Sequence, residues 1–384
     1  MPKIRVKLAA GVEHIKKTDR NVVAYLPPAD DSVPPPPAPA AHNPHDPHAV
    51  QASAHEAPAP DNRQSKIDNR QSEWLLLGAH YDHLGTANGT SSLARSGEEE
   101  KIHPGADDNA SGVALIMEVA ASLAKERREH PEKFRRGVIF ALWSGEEIGI
   151  IGSSSFAEKP PLDLRQTVAY LNFDMVGRLR DNKLVLQGVG SSKLWRKLIE
   201  KRNVAAGFAL TLQDDPYLPT DTTALYPKRI PVLNFFTGSH DDYHRPTDTA
   251  DKVNYDGLER VSKFARMLTL DVATAPERPD FARIERTQEN QGSRETLRAY
   301  LGTIPDYAQD VKGVKFSGVR AGSPAEKAGI QGGDVLVEFG GQKIQNIYDY
   351  TYALDAVKIG QPAKAVVERN GQRVEITVTP EARK

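Results

Sequence analysis

The chain has 384 residues, a formal net charge of −1 and no cysteine. The balanced charge argues against a general electrostatic attraction to nucleic acid or to an anionic membrane surface, and no apolar run approaches the roughly 18–20 residues that span a bilayer. Without cysteine, neither a disulfide framework nor a thiolate site is available, so any metal must be bound by His, Asp and Glu.

The first 72 residues divide into two segments. Residues 1–28 contain two strand-like runs, KIRVKLA and NVVAYLP, which we expect to lead into the main domain, the first as a remnant of an upstream domain. Residues 29–72 are rich in Pro, Ala and His, and such a composition predicts a disordered insertion. The basic N-terminus lacks the apolar core of a signal peptide.

Residues 73–272 alternate between strand-like and helix-like segments. Apolar residues recur at helical spacing over 110–127, 191–203 and 255–270, which predicts three amphipathic helices. Alternation of this kind is typical of an α/β domain with a mostly parallel sheet flanked by helices. Residues 273–296 are charged and contain Pro, and they predict a linker.

The stretch 297–384 has a different character. The runs GVKFSGV, GDVLVEFGG, AKAVVER and RVEITVTP are strand-like, and the pair Asn370-Gly371 predicts a tight hairpin. Between these runs, SPAEKAGI and YDYTYALDAV predict one short helix and one longer helix. The sequence therefore predicts a second, smaller and β-rich domain.

Five short motifs bear the polar residues of greatest chemical interest. They are GAHYDH (78–83), GADDNASG (105–112), WSGEE (143–147), LNFDM (171–175) and DDYH (241–244), and four of them follow strand-like runs. Ligands of open α/β sheets gather outside the carboxyl ends of the strands. Two imidazoles and several carboxylates at one sheet edge favour a hydrolytic metal site.

Each motif alone has a simpler explanation. A Glu-Glu pair is most often a solvated loop, and the run Asp107-Asp108-Asn109 could be the N-cap of the helix that follows. The conjunction of all the motifs argues against these explanations. His83 and His240 are not assigned as metal ligands, and His103 falls in a loop that the sequence does not place.

The five motifs, in this order and spacing, resemble those of the co-catalytic di-zinc aminopeptidases, a family that also contains glutamate carboxypeptidases and, more distantly, glutaminyl cyclases. The resemblance covers residues 73–272 and implies a zinc exopeptidase fold that binds two Zn²⁺. It also implies export to the periplasm or the extracellular space.

Carried over to this sequence, the family pattern implies a ligand set for two zinc ions. One zinc would be held by His80 and Asp174, the other by Glu147 and His244, and a single aspartate would bridge them. Both Asp107 and Asp108 are candidates for the bridge, and Asp108 is preferred because it stands four residues before Gly112. The same pattern implies a cis peptide bond between Asp108 and Asn109.

The resemblance also implies roles for residues around the metals. Glu146 would be the general base that takes a proton from the attacking water. Asp82 would fix the ring orientation of His80. Tyr243 is a candidate for binding the tetrahedral intermediate, and Asp221 is assigned a supporting or structural role only.

The C-terminal stretch resembles a PDZ domain of the bacterial protease type, a small β-sandwich or barrel-like fold. The residues that carry this resemblance are GSPAEKAGIQGGDVLVEFGGQKI (322–344) and a candidate carboxylate-binding loop formed by Tyr300, Leu301, Gly302 and Thr303. PDZ domains bind peptide C-termini as an added strand. The alternative is an appendage that only packs on the first domain.

These features together predict a zinc-dependent aminopeptidase that acts on peptides, with a peptide C-terminus or a protein partner at the PDZ domain. A carboxypeptidase or other amidohydrolase would use the same metals with cationic residues for a substrate carboxylate. A glutaminyl cyclase would use one zinc. A non-catalytic PDZ scaffold would have lost ligands or the base, and this sequence retains both.

Overall fold

The computed structural model describes residues 19–28, 73–86, 92–94, 97–98, 100–284, 299–306, 311–345 and 347–382. The predicted disordered insertion 29–72 and the run KIRVKLA lie outside these residues. The described part confirms an α/β domain with a mixed central sheet and a C-terminal domain with an antiparallel sheet.

The central sheet has seven strands in the order β1-β3-β2-β4-β7-β5-β6. Their bounds are Val22–Leu26 (β1), Trp74–His80 (β2), Gly137–Trp143 (β3), Thr167–Phe173 (β4), Lys183–Gln187 (β5), Ala209–Gln213 (β6) and Val232–Phe236 (β7). The pairs β1–β3 and β5–β7 are antiparallel and the other pairs are parallel. The sheet is therefore mostly parallel, as predicted.

The middle strands are apolar because both faces of the sheet are covered. Every residue of β2 and of β4 is buried. Successive side chains point to opposite faces, so Leu75 and Leu77 join one core cluster while Trp74 and Leu76 join another. A continuous apolar run is therefore required here.

Five helices cover the two faces: Gly112–Glu129 (α1), Ile151–Glu158 (α2), Lys193–Ala206 (α3), Thr222–Leu225 (α4) and Tyr255–Thr274 (α5). Helices α1, α3 and α5 correspond to the three predicted amphipathic helices, and their apolar residues join the core cluster of Leu75. Asn254 caps α5 through a hydrogen bond from the Gly257 N–H, 2.9 Å long. Residues of α2 and α4 pack on the opposite face.

The segment after α5 is attached to the first domain. The Ala282 N–H donates to the Ser191 carbonyl at 2.8 Å, and the Ile284 N–H donates to the Tyr226 hydroxyl at 2.7 Å. The rings of Phe281 and Tyr226 are 5.2 Å apart. Residues 275–284, predicted as the start of a linker spanning 273–296, therefore pack on the α/β domain.

The C-terminal domain has its own core and a six-stranded antiparallel sheet. The strands of this domain are Ala299–Tyr300 (β8), Thr303–Pro305 (β9), Val314–Val319 (β10), Val335–Phe339 (β11), Gln342–Lys343 (β12), Ala363–Arg369 (β13), Gln372–Val378 (β14) and Glu381–Ala382 (β15), and β9 to β14 form the sheet. Its helices are Pro324–Lys327 (α6) and Ile347–Ala356 (α7). Strands β8 and β15 pair separately. Asn370 and Gly371 have φ of +51° and +78° and close the β13–β14 hairpin, as predicted.

Within the described residues, none of the helices combines the length and the apolarity that a membrane crossing requires.

Candidate metal centre

Neighbouring parallel strands bring three of the five motifs to one edge of the sheet. Strand β2 ends at His80, β3 ends shortly before Glu146 and Glu147, and β4 ends one residue before Asp174. Strand β2 lies between β3 and β4 and runs parallel to both. Their carboxyl ends therefore meet, and loop residues complete the site.

One half of the site is built around His80. Its Nε2 lies 3.2 Å from Oδ1 of Asp108 and 3.5 Å from Oδ1 of Asp174. His80 is only 1% exposed, because it is the last residue of a strand that is buried at every position. Asp108 reaches it from the irregular helical turn Ala106–Ser111 that precedes α1.

The other half is built around His244. Its Nε2 lies 3.2 Å from Oδ2 of Asp108 and 3.1 Å from Oε2 of Glu147. Asp108 thus directs one carboxylate oxygen to each histidine. A carboxylate placed in this way is suited to bridge two cations, one in each half.

The donor set fits zinc. Zinc takes His nitrogen and carboxylate oxygen at about 2.0–2.2 Å, so neighbouring donors of a tetrahedral site are roughly 3.3–3.6 Å apart. The four donor–donor distances in the two halves, from 3.1 to 3.5 Å, are close to that spacing. His80, Asp108 and Asp174 offer donor atoms within 4.8 Å of one another, and so do His83, Asp108 and Glu147. The second half thus has two histidines, His83 and His244, beside its carboxylates.

The electrostatics of the cluster also favour cations. Burial disfavours the charged form of His244, but hydrogen bonds to Asp108 and Glu147 outweigh burial and raise its pKa to about 10. Burial acts in the same way on His80, whose pKa is raised well above its ordinary value by Asp108 and Asp174. The charge on a protonated histidine and the charge on a metal ion would both balance these carboxylates, so metal binding would displace the histidine proton.

The structure distinguishes between the two aspartates that were candidates for the bridge. The carboxylate of Asp107 accepts hydrogen bonds from the Gly177 N–H (2.6 Å) and the Ser111 hydroxyl (3.0 Å). Its other oxygen lies 3.0 Å from Nε2 of His240. Asp107 and His240 therefore support the turn, and Asp108 alone of the two aspartates contacts the metal-site histidines.

The turn that carries Asp108 is held by side-chain hydrogen bonds. Oδ2 of Asp248 accepts from the N–H groups of Asp107 and Asp108 at 2.9 and 3.1 Å. Asn109 donates to the Phe173 carbonyl and accepts from the Gly112 N–H at the start of α1. The peptide bond between Asp108 and Asn109 is cis, as predicted.

Glu146 and Glu147 differ although they are adjacent. Glu147 contacts His244, whereas Glu146 belongs to neither of the two metal-binding groups found among the described residues. Burial raises the pKa of Glu146 well above its ordinary value. Burial and the Asp108 charge act similarly on Glu147, but hydrogen bonds with His244 and His83 outweigh them and lower its pKa. This difference is consistent with the predicted roles, Glu146 as the general base and Glu147 as a metal ligand.

Asp82 contacts different atoms from those expected. Its main-chain carbonyl, 3.0 Å from Nδ1 of His80, contacts that ring, whereas its carboxylate is 3.8 Å away. The carboxylate instead accepts from the N–H groups of Glu146 and Glu147 at 3.1 and 3.3 Å. Asp82 therefore ties the loop of the two glutamates to the end of β2.

His83 lies inside the site, although it was not assigned there from the sequence. Its Nδ1 is 2.7 Å from Oε1 of Glu147 and 4.0 Å from Oδ2 of Asp108. The only available signal was its spacing of three residues from His80 just past a strand. That spacing does not reveal which carboxylate the ring faces.

Three further residues of the sequence-based set surround the site. The ring of Tyr243 stacks on that of His244 with centroids 3.8 Å apart, and its predicted contact with the intermediate stays a prediction. Asp221 is fully buried, accepts a 2.5 Å hydrogen bond from Ser153, and has its pKa raised to about 7 by burial. His103 is buried beside Ser92, with its Nε2 2.8 Å from the Ser92 hydroxyl.

The candidate carboxylate-binding loop of the C-terminal domain connects β8 and β9. Leu301 is buried, and its carbonyl accepts from the Ala325 N–H of α6 at 2.9 Å. Gly302 has φ of +79°, and a Cβ there would collide with Ser323. Thr303 contacts the Tyr350 hydroxyl of α7 through its own hydroxyl at 2.6 Å. Binding of a peptide carboxylate by Tyr300–Thr303 stays a prediction.

Comparison with known sequence families assigns the two domains. The sequence profile of peptidase family M28 matches residues 63–269, which is more than half of the chain. The profile of the PDZ domain matches residues 315–369, a stretch that begins after the candidate carboxylate-binding loop.

Individual relatives are aminopeptidases by name. Leucine aminopeptidase 2 of Arthroderma otae is 26% identical over 219 residues, covering 50% of this chain and 42% of the relative. An aminopeptidase of Pseudomonas aeruginosa is 37% identical over 89 residues, covering 23% of this chain and 16% of the relative. This chain therefore aligns with less than half the length of these two relatives. The solved aminopeptidase LapA of Legionella pneumophila is 22% identical, with coverage of 54% and 53% and a TM-score of 0.42.

Proposed function

Because this chain belongs to peptidase family M28, we propose that it is a zinc-dependent aminopeptidase that removes N-terminal residues from peptides. The observation that carries the proposal is the pair of clusters that share Asp108, one around His80 and one around His244. Relatives in Arthroderma otae and Pseudomonas aeruginosa are named aminopeptidases, which supports this choice within the family.

We propose two zinc ions, one bound by His80 and Asp174, the other by Glu147 and His244, with Asp108 between them. Bound zinc would supply Lewis acidity, which lowers the pKa of a water molecule and polarises the scissile carbonyl. The chain's own ligands contribute negative charge and a fixed separation of the two halves. Purified protein should contain about two zinc equivalents, and a single equivalent would overturn this stoichiometry.

Glu146 is the proposed general base. Burial raises the pKa of Glu146 well above the ordinary value of a glutamate, so its carboxylate is a stronger base than one exposed to water. It would accept a proton from the attacking water and then donate it to the leaving amine. The hydrogen bonds from the Glu146 and Glu147 N–H groups to Asp82 hold the main chain of this loop in place while the proton moves.

The choice between an aminopeptidase and a carboxypeptidase can be tested with one peptide in three forms. An aminopeptidase hydrolyses the free peptide and the C-terminally amidated peptide, and it fails on the N-acetylated peptide. A carboxypeptidase of the same metal site shows the opposite pattern for the two blocked forms. Hydrolysis of the acetylated peptide at the rate of the free peptide would overturn the proposal.

For the C-terminal domain we propose binding of peptides or of a protein partner. The support is its PDZ profile and Gly302, where the absence of a Cβ lets the main chain of the loop approach Ser323 at the start of α6. A variant that ends at residue 290 retains the attached segment 275–284. If the domain recruits long substrates, this variant should lose activity on a long peptide and keep it on a dipeptide. An equal loss on both would show that the domain has a structural role instead.

A further inference from the structure

The carboxylate of Glu147 has a separate histidine on each of its oxygens. Oε2 lies 3.1 Å from Nε2 of His244, whereas Oε1 lies 2.7 Å from Nδ1 of His83. The side chains of His83 and Glu147 are 8% and 5% exposed, so water competes little for this contact. Each oxygen of the Glu147 carboxylate therefore contacts a different histidine. Only Oε2, which contacts His244, is a ligand atom in the proposed zinc site.

The distances favour a hydrogen bond from His83 over metal ligation by it. Donors that share a tetrahedral zinc are roughly 3.3–3.6 Å apart, as follows from zinc–donor distances of about 2.0–2.2 Å. The 2.7 Å between Nδ1 of His83 and Oε1 of Glu147 is shorter than this and matches a charge-assisted hydrogen bond. The 4.0 Å between Nδ1 and Oδ2 of Asp108 is longer than either kind of contact.

The ring of His83 is also fixed by packing. A Cβ at Gly105 would collide with it, so the glycine at that position, with φ of +64°, makes room for the imidazole. The ring meets that of His244 edge-on, with centroids 5.7 Å apart. Within the described part of the chain, Nε2 of His83 is buried without a hydrogen-bond partner, so the ring has its polar contact through Nδ1.

We propose that His83 is a positioning residue for Glu147. It donates the Nδ1 hydrogen to Oε1 and thereby holds Glu147 so that Oε2 alone faces the ion. Ligating carboxylates commonly depend on hydrogen bonds of this kind, and removal of such a partner typically costs 10–100-fold in metal affinity. The inference rests on the proposed function, because it assigns His83 to the zinc site that Glu147 and His244 form.

The test measures zinc affinity site by site in the full-length protein, by competition with a chromophoric chelator. In His83→Asn the side-chain amide occupies the position of Nδ1 and keeps a donor, whereas His83→Leu removes it. His83→Gln keeps a donor but moves it to the position of Nε2, and it avoids placing an apolar side chain in a polar site. His130→Leu, at a half-exposed histidine outside the site, is the matched control.

We expect two zinc equivalents in the wild type, one site weakened about 10–100-fold in His83→Leu and His83→Gln, and both sites within a few-fold of wild type in His83→Asn. When cobalt replaces zinc in the weakened site, the visible spectrum of the bound cobalt should differ from wild type in His83→Leu and His83→Gln and match it in His83→Asn. Unchanged affinity in both His83→Leu and His83→Gln would overturn the proposal. Equal weakening in His83→Asn would also overturn it, because the ring itself would then be required. A wild type that binds no zinc would instead overturn the proposed function.

Discussion

His80 and Asp174 reach the candidate metal centre at the ends of neighbouring strands, whereas Glu147 and His244 reach it on loops. The strand-borne half depends on main-chain pairing, since β2 and β4 are in parallel register and buried at every position. In the loop-borne half, His244 has φ of +54°, a conformation that non-glycine residues adopt infrequently. The two halves therefore acquire their geometry from different sources.

The loop-borne half is surrounded by side chains that hold it. His83 contacts Glu147, the ring of Tyr243 stacks on that of His244, and the Leu93 N–H donates to the His244 carbonyl at 2.9 Å. Next to His244, Arg245 forms a two-point ion pair with Glu98. Ligands on loops need such support, because a small displacement of a ligand weakens metal binding. We therefore expect the loop-borne half to be the more easily disturbed.

Asp108 belongs to both halves, so its removal should have the largest effect. Asp108→Ala removes one oxygen from each cluster, and we expect the loss of both zinc ions and of measurable peptide hydrolysis. Metal analysis after gel filtration, together with an aminoacyl-anilide assay, provides the measurement. Asp107→Asn is the paired variant, since Asp107 contacts no metal-site histidine, and it should keep both metals. Retention of both metals by Asp108→Ala would contradict the bridge.

Glu146 and Glu147 should separate catalysis from metal binding. Glu146→Gln should keep both zinc ions and lower kcat by about 10²–10⁴-fold, the usual contribution of a general acid–base residue. Glu147→Gln should lose the zinc of the loop-borne half and keep that of the strand-borne half. If Glu146→Gln loses metal and Glu147→Gln loses only turnover, the two roles have been exchanged.

Proton competition should make zinc binding depend on pH. Burial opposes the charge on His244, but Asp108 and Glu147 raise its pKa to about 10, so zinc must displace a proton there at neutral pH. Zinc affinity should then rise about tenfold per pH unit for each displaced proton, up to about pH 10. Isothermal titration in buffers of different ionisation enthalpy counts the released protons. Zinc binding without proton release would refute this expectation.

The same pKa shift predicts the stability of the metal-free protein. A folded-state pKa above the unfolded value stabilises the fold when the histidine is protonated. This contribution is present in full below about pH 6.5 and is lost as the pH rises through about 10. The melting temperature of the metal-free protein should therefore fall between pH 7 and pH 10. A flat profile would show that other groups offset His244.

The ion pair of Arg245 and Glu98 should have the smallest effect. Neither of its side chains is a proposed ligand, and the pair acts on the site only through the neighbouring His244, so we expect an effect on the scale of one weak ion pair, about 0.2–1 kcal/mol. Arg245→Met should speed zinc release from the loop-borne half by at most about fivefold, as measured by stopped-flow chelation. Arg196→Met, which breaks a half-exposed ion pair with Asp214 distant in sequence from every proposed ligand, is the control and should not change the rate.

The difference between the two halves also explains what sequence could predict. The apolar runs TVAYLNF and WLLLGA predicted strands, and strands of one parallel sheet end at a common edge, so the meeting of His80 with Asp174 followed. The Asn370-Gly371 hairpin and the short and longer helices of the PDZ domain were likewise predicted from local patterns. These features depend on periodicity and turn chemistry, which a single sequence contains.

The remaining features depend on contacts between loops that are distant in sequence. His83 faces Glu147 across 64 residues, and His240 faces Asp107 across 133 residues. No periodicity encodes which of several histidines turns toward a given carboxylate. Similarly, the charged composition of 273–296 predicted a linker, but Phe281 packs on Tyr226, a contact that a lone aromatic residue in a polar segment does not reveal.

Anomalous diffraction at the zinc edge from crystals of the zinc-loaded protein would locate the metal ions and their ligands. We expect two anomalous peaks, one on each side of the Asp108 carboxylate. The first should be bound by His80 and Asp174, and the second by His244 and Glu147, with His83 in contact with Glu147 alone. A single peak, or peaks bound by residues other than these five ligands, would contradict the proposed metal centre.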